Sequence, residues 1–125
     1  ISVNQVKASL MRQIAPSGKA AKVAALLKHG GYVLPFTALE AGTFVVRWYQ
    51  VPKGAKIARH GKAVLVAVGR LVLSGAGEGK LNIKLTAGGR KLLKHTKKVK
   101  LIVKGTFTPQ GQAAVRVEKG FVIRR

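Results

Sequence analysis

The sequence predicts a mainly β fold, an antiparallel β-sandwich of about seven short strands with short N-terminal helices and one short helix between strands. Apolar and polar residues alternate through most of the chain. Turns such as Pro52-Lys53-Gly54 and Pro109-Gln110-Gly111 separate the alternating segments. The predicted strands are half polar, which argues against a parallel sheet, because the strands of a parallel sheet are continuous apolar runs. At 125 residues we expect a single domain, with a helical segment (1–31) packed on the sandwich (32–125).

The N-terminal segment is predicted to form two helices. Over residues 2–15, apolar side chains recur at helical spacing on one face, namely Val6, Leu10 and Ile14. A second, Ala-rich helix covers residues 19–29, and Gly30-Gly31 ends it. The apolar face of the first helix needs a cover, which we expect to be the sandwich or a second copy of the chain.

Turns divide the remaining residues into short strands and one helix. The predicted strands are residues 32–38, 43–51, 63–68 and 70–73 (one strand bent at Gly69, or two), 80–86, 98–108 and 114–124. Pro35 indicates either an edge strand or an outward-facing position, because proline cannot donate a hydrogen bond to a neighbouring strand. Thr86 is a suitable N-cap for a helix over residues 87–95. Trp48 lies in the most β-prone segment and would be the core tryptophan of an immunoglobulin-like arrangement.

A family resemblance is carried by short segments spread along the chain. They are Ala24–Tyr32 (AALLKHGGY), Trp48–Ala55 (WYQVPKGA), Ile83–His95 (IKLTAGGRKLLKH), Val99–Leu101 (VKL) and Gly105–Pro109 (GTFTP). Together they resemble immunoglobulin-like modules of secreted, often multidomain, proteins from high-GC Gram-positive bacteria. The likeness covers most of the chain. It implies an immunoglobulin-like sandwich that serves as an appended or tandem module outside the cell, beside other modules of a parent protein. It implies no catalytic residue.

The charge of the chain has almost a single sign. There are 24 Lys and Arg residues against three Glu and no Asp, which gives a formal net charge of +21, yet 47% of the residues are hydrophobic. We therefore expect a real hydrophobic core beneath an almost purely cationic surface. Like charges repel one another in the compact state, and three carboxylates allow few ion pairs. Burial of apolar side chains must supply the stability.

Residue types for enzymatic or metal chemistry are scarce. The carboxylates of Glu40, Glu78 and Glu118 are far apart in sequence, and a paired-carboxylate mechanism would need two of them to converge. The three histidines show no metal-ligand spacing, and cysteine is absent. The glycine-rich residues 74–79 are not followed by the helix that a phosphate-binding loop requires. We therefore expect a non-enzymatic protein without a metal site or cofactor.

Basic residues cluster in two segments that we predict to bind a polyanion. They are Lys53, Lys56, Arg59, Lys62, Arg90, Lys91, Lys94, Lys97, Lys98, Lys100 and Lys104. A third cluster comprises Arg116, Lys119, Arg124 and Arg125. One interpretation is a solvated surface whose charged strand edges prevent aggregation. The other, suggested by the near absence of acids, is attraction to a cell-wall polymer, acidic lipid headgroups or nucleic acid. Both interpretations stay open at this point.

The function expected from the sequence is that of a structural or adhesive accessory module of an extracytoplasmic protein, located outside the cell or at its surface. The alternative is a cytoplasmic protein that binds nucleic acid electrostatically and without sequence preference. Most of the few aromatic residues are expected in the core. They would not form the stacking platform that is typical of proteins binding single-stranded nucleic acid.

Overall fold

Six antiparallel strands and three short helices form the part of the chain that the structure, a computed structural model, describes: residues 2–50 and 64–125. The helices are α1 (Val3–Gln13), α2 (Val23–His29, after a 3-10 turn at Lys19–Ala21) and α3 (Ala87–Lys94). The strands are β1 (Gly31–Ala38), β2 (Gly42–Gln50), β3 (Val64–Leu73), β4 (Gly77–Leu85), β5 (Lys98–Pro109) and β6 (Val115–Arg124). The predicted mainly β, antiparallel class with short helices is confirmed.

The strands form one sheet in the order β1-β4-β3-β2-β5-β6, and this sheet is curled into a half-barrel. The bend lies between β3 and β4, which pair only over Ala67–Gly69 and Ile83–Leu85. Gly69 makes the close approach possible, because a Cβ at this position would lie 2.7 Å from the Asn82 carbonyl oxygen. Of the two predicted alternatives for residues 63–73, the structure shows one continuous strand, β3, whose register against β2 shifts between Trp48 and Tyr49.

The curl brings strand β1 across to strand β2. Residues 39–41 alone connect these strands, and the rings of Phe36 and Phe44 stack with their centroids 4.2 Å apart. The described residues thus differ from the expected sandwich of about seven strands in two sheets. They hold six strands, and hydrogen bonds between β3 and β4 keep both halves in one sheet. Sequence alternation identifies inward side chains but does not tell whether facing strands also share hydrogen bonds.

The hydrophobic core fills the inside of the curl. Alternate side chains of each strand point into it, and the largest of those that are fully buried are Trp48, Phe44, Phe107, Leu81, Ile83 and Leu101. The aromatic rings contact one another, with Trp48 edge-to-face on Phe121 at 5.3 Å and Phe44 edge-to-face on Phe107 at 6.4 Å. These ring contacts add stability beyond that expected from the apolar area that the rings bury.

Helix α1 lies across the gap between the two edge strands, β1 and β6. A capping box of Ser2 and Gln5 starts the helix. The predicted apolar face is buried in the common core: Val6, Leu10 and Ile14 are each at most 4% exposed. The sheet of the same chain therefore covers this face.

The end of α1 is tied to both edge strands through hydrogen bonds. The Gln13 side chain accepts a hydrogen bond from the Thr37 N–H at 2.7 Å and donates one to the Thr37 carbonyl at 3.0 Å. Lys119 of β6 donates to the Met11 carbonyl at 3.2 Å. Because edge strands can pair with another chain, these contacts protect the fold against edge-to-edge association. Pro35, predicted to mark an edge or an outward-facing position, does lie in edge strand β1.

Helices α2 and α3 lie at one end of the sheet, which we call the helical end, where β1, β3 and β5 begin. Gly30 ends α2 in the left-handed conformation at φ 74°. Thr86 caps α3 as predicted, since its hydroxyl accepts from the Gly89 N–H at 2.9 Å and donates to the Leu65 carbonyl. The opposite end, which we call the turn end, holds the β1–β2, β3–β4 and β5–β6 connections. No helix within the described ranges is long and apolar enough to cross a membrane.

Candidate functional site

The outer face of the sheet, which points away from the core, carries a dense set of cations. Its Lys and Arg residues are Arg47, Arg70, Lys80, Lys84, Lys98, Lys100, Lys104, Arg116 and Arg124. All of these side chains are exposed except Lys104, which is half-buried. The carboxylates on this face within the described residues are those of Glu78 and Glu118. Alternation produces this arrangement, because residues between two inward apolar side chains point outward.

Arg47 of β2 and Lys104 of β5 are direct cross-strand partners on this face. Directly opposed side chains have Cβ atoms about 5 Å apart, and opposed like charges destabilise a sheet. Lys104 is partly compensated on its other side, where its Nζ lies 3.4 Å from Glu118 Oε1. Its Nζ also lies 5.8 Å from the centroid of the Tyr49 ring. Within the described residues, Arg47 has no comparable carboxylate contact.

A second like-charged pair lies at the helical end. Lys98, the first residue of β5, is the direct partner of Arg124, the last residue of β6. Lys100 points outward two residues further along β5 and opposes Val122. Two of the cross-strand pairs on this face thus combine cations with cations. A surface built for solubility alone would be expected to mix the two signs.

The predicted site residues divide into three groups. Lys53, Lys56, Arg59 and Lys62 lie outside the described residues. Lys98, Lys100 and Lys104 project from the outer face of β5. Arg90, Lys91 and Lys94 are exposed on α3, and exposed Lys97 connects this helix to β5. The described part of the prediction therefore falls on two places, the exposed side of α3 with the following Lys97 and the outer face of β5.

The third basic cluster of the sequence separates in the structure. Arg116 and Arg124 point outward, whereas Lys119 contacts α1. Arg125 holds the C-terminal end of α3: its guanidinium donates to the carbonyls of Leu93 at 3.3 Å and Lys94 at 3.4 Å. A cation at this position also interacts favourably with the helix dipole. Arg125 is therefore a structural residue rather than a candidate for binding a partner.

Sequence reasoning missed Arg47, Arg70, Lys80 and Lys84 as site residues, because each is an isolated cation in the sequence. Arg47 becomes prominent only through its pairing with Lys104. Its position between the inward residues Val46 and Trp48 was the available signal, since it placed Arg47 on the outward side of a predicted strand.

The acidic residues are dispersed in the structure as they are in the sequence. Glu40 accepts a hydrogen bond from the Gln112 side chain at 3.1 Å and so joins two connections at the turn end. Glu78 is exposed near the same end, and Glu118 pairs with Lys104. In residues 2–50 and 64–125, no group of three or more His, Asp or Glu side chains is arranged to hold a metal ion.

An open depression with a volume of about 500 Å³ lies at the turn end. Its lining is uncharged and includes Thr43, Ser74, Thr108 and Gln110. A smaller depression of about 360 Å³ lies along β1 and β4 and contains Glu78 and Lys80. Among the described residues, the larger depression holds no ionisable side chain, and in the smaller one Glu78 and Lys80 are both solvent-exposed.

Comparison of the chain with protein-family models, with curated proteins and with solved structures found no match. The likeness to immunoglobulin-like modules accordingly rests on the sequence segments quoted above. The outer face of the sheet, with its opposed cations, is the feature of the described residues that points to a function.

Proposed function

We propose that the chain is a non-enzymatic structural or adhesive module that binds anionic polymers or surfaces through the outer face of its sheet. The observation that carries this proposal is the direct opposition of Arg47 to Lys104 and of Lys98 to Arg124. Each such pair costs roughly 0.2–1 kcal/mol of stability. An anionic partner that neutralised both cations at once would remove this cost. Binding such a partner would therefore explain why the cations are opposed, whereas solubility would not.

We also propose that this module belongs to a secreted, multidomain protein of the kind that the sequence resembles. Its fold would then be related to that of immunoglobulin-like modules. The antiparallel strands and the short helix α3 between β4 and β5 support this relationship. The single curled sheet is the feature that departs from it. The gene that encodes the chain provides an independent check, since it should specify a secretion signal and neighbouring modules.

Direct binding measurements test the proposed function. Heparin, a poly(glycerol phosphate), duplex DNA and anionic phospholipid vesicles would each be titrated at low salt. The outer-face variant carries the substitutions Arg47→Gln, Lys100→Gln and Lys104→Gln. The matched control removes the same charge from exposed positions of the N-terminal segment through Lys7→Gln, Lys19→Gln and Lys22→Gln.

We expect the outer-face variant to lose roughly tenfold or more of its affinity, since each neutralised contact contributes to electrostatic binding. The control should lose much less, although its net charge is the same. If none of the four partners binds the wild-type protein, the proposed function is wrong. If both variants weaken binding equally, net charge alone acts and the outer face has no special role.

A further inference from the structure

The cations of the outer face include a narrow path along strand β5. Lys98, Lys100 and Lys104 point outward from this strand, and Lys98 and Lys104 lie about 20 Å apart at about 3.4 Å per residue. Arg124 flanks the path at the helical end, and Arg47 flanks it near the middle of the sheet. Each end of the path therefore has an arginine directly opposite a lysine. We call these five residues the β5 path.

The centre of the β5 path is uncharged. Ile102 points outward between Lys100 and Lys104, and its cross-strand neighbours are Tyr49 and Gly120. Glu118 is the carboxylate that borders the path, where it contacts Lys104. Both members of this ion pair keep substantial solvent exposure, 34% and 59% of the side chain, so water weakens the pair. An anion with a higher local charge can therefore replace Glu118 at Lys104.

The path offers charge without an aromatic surface for stacking. Tyr49 is half-buried, and Lys104 lies over its ring. The remaining described rings line the core or pack against it, as the contacts of Trp48 with Tyr32 and Phe121 illustrate. Single-stranded nucleic acid is usually held by bases stacked on exposed rings. The partner of the β5 path should accordingly be recognised through its charged backbone alone.

Building on the proposed function, we infer that the β5 path binds an extended phosphodiester polymer through its phosphates, without contacts to bases. Arginine presents a planar fork of donors that matches two oxygens of one phosphate. Arg47 and Arg124 supply such forks at the two ends of the path, and the lysines supply point charges between them. Phosphate oxygens take the place of Glu118 beside Lys104 when the polymer is bound.

The test uses three probes of equal charge: an abasic phosphodiester oligomer, an oligothymidylate of the same length and a polyglutamate. Titration calorimetry with increasing chain length should show affinity rising until the abasic oligomer spans the path and levelling off beyond it. Because log K falls by about 0.7 per phosphate contact and per log unit of salt, contacts to all five cations imply a roughly hundredfold loss between about 50 and 200 mM salt.

Variants locate the binding to the β5 path. The double variant Arg47→Gln/Lys104→Gln should lower the salt slope by about 1.4, the contribution of two phosphate contacts. The matched control Lys7→Gln/Lys22→Gln removes the same charge from exposed positions of the N-terminal segment and should leave the slope nearly unchanged. Glu118→Gln should strengthen binding, by up to about fivefold if the exposed pair with Lys104 is broken in the complex. Circular dichroism confirms that each variant is folded.

The outcomes separate this inference from the proposed function. If heparin or vesicles bind but the abasic oligomer does not, the phosphodiester inference fails and the proposed function stands. If oligothymidylate binds roughly tenfold more tightly than the abasic oligomer, the inference that only the backbone is recognised is wrong, because stacking of one base on a ring has an effect of this size. Equal binding of polyglutamate overturns the selection of phosphate. If the two double variants change the salt slope equally, binding is not located at the β5 path. If no polyanion binds the wild-type protein, both proposals are wrong.

Discussion

The two sides of strand β5 have opposite characters although their residues alternate one by one. Val99, Leu101 and Val103 point into the core and are at most 7% exposed. Lys98 and Lys100, on the other side, face solvent opposite a cation or a valine of β6. The same stretch of chain thus contributes apolar burial on one side and unneutralised charge on the other. Stability thus depends on one face of the sheet, and the binding that we propose would use the opposite face.

This division explains how the fold tolerates a formal net charge of +21. Repulsion between outward cations acts through water and is screened by salt. The buried side chains are held in close contact that solvent does not weaken. Substitutions on the two faces should consequently differ in both the size and the sign of their effect on stability.

The largest effect is expected from Phe44→Ala on the inner face. Phe44 is fully buried and stacks on Phe36, so its removal leaves a cavity and should lower the free energy of unfolding by about 3–5 kcal/mol. Its neighbour Val45 points outward, and Val45→Ala should cost less than about 1 kcal/mol. Urea denaturation of both variants gives the comparison. Similar losses for the two would contradict the division between faces.

An intermediate effect is expected for two adjacent glycines of α3. A Cβ at Gly89 would collide with the Val66 carbonyl, so Gly89→Ala must displace α3 from β3 and should cost about 1–3 kcal/mol. A Cβ at Gly88 would have 3.7 Å to its nearest neighbour, and Gly88→Ala should stabilise the helix by about 0.5–1 kcal/mol. Thermal unfolding distinguishes the two. A destabilised Gly88→Ala variant would show that both sides of α3 are packed.

The smallest effect, and the one of opposite sign, is expected on the outer face. Arg47→Thr removes one member of the like-charged pair with Lys104 and should raise the free energy of unfolding by about 0.2–1 kcal/mol at low salt. Arg70→Thr is the matched control, because Arg70 opposes Val45 and should change stability by less than about 0.5 kcal/mol. Added salt should abolish the difference. A loss of stability for Arg47→Thr at low salt would assign Arg47 a structural role.

Much of the local structure follows from the sequence alone. The period-two pattern identified the inward residues of β2 and β5, including Phe44, Trp48 and Leu101. Thr86 marked the start of α3, and Gly30 marked the end of α2. These features depend on residues that are near in sequence, such as a cap and the first turn that it serves. Short-range chemistry of this kind is the same in any tertiary arrangement.

Strand partners and the roles of single cations were decided by the tertiary structure. Alternation is compatible with any neighbour, so it could not show that β3 and β4 join both halves into one curled sheet or that Arg47 lies opposite Lys104. Arg125 reads in the sequence as one more basic residue, yet it caps α3 because the carbonyls of Leu93 and Lys94 lie within its reach. The sequence by itself determined a cationic face on a β core. Only long-range pairing decided which cations stand together on that face, because register depends on contacts between residues far apart in the chain.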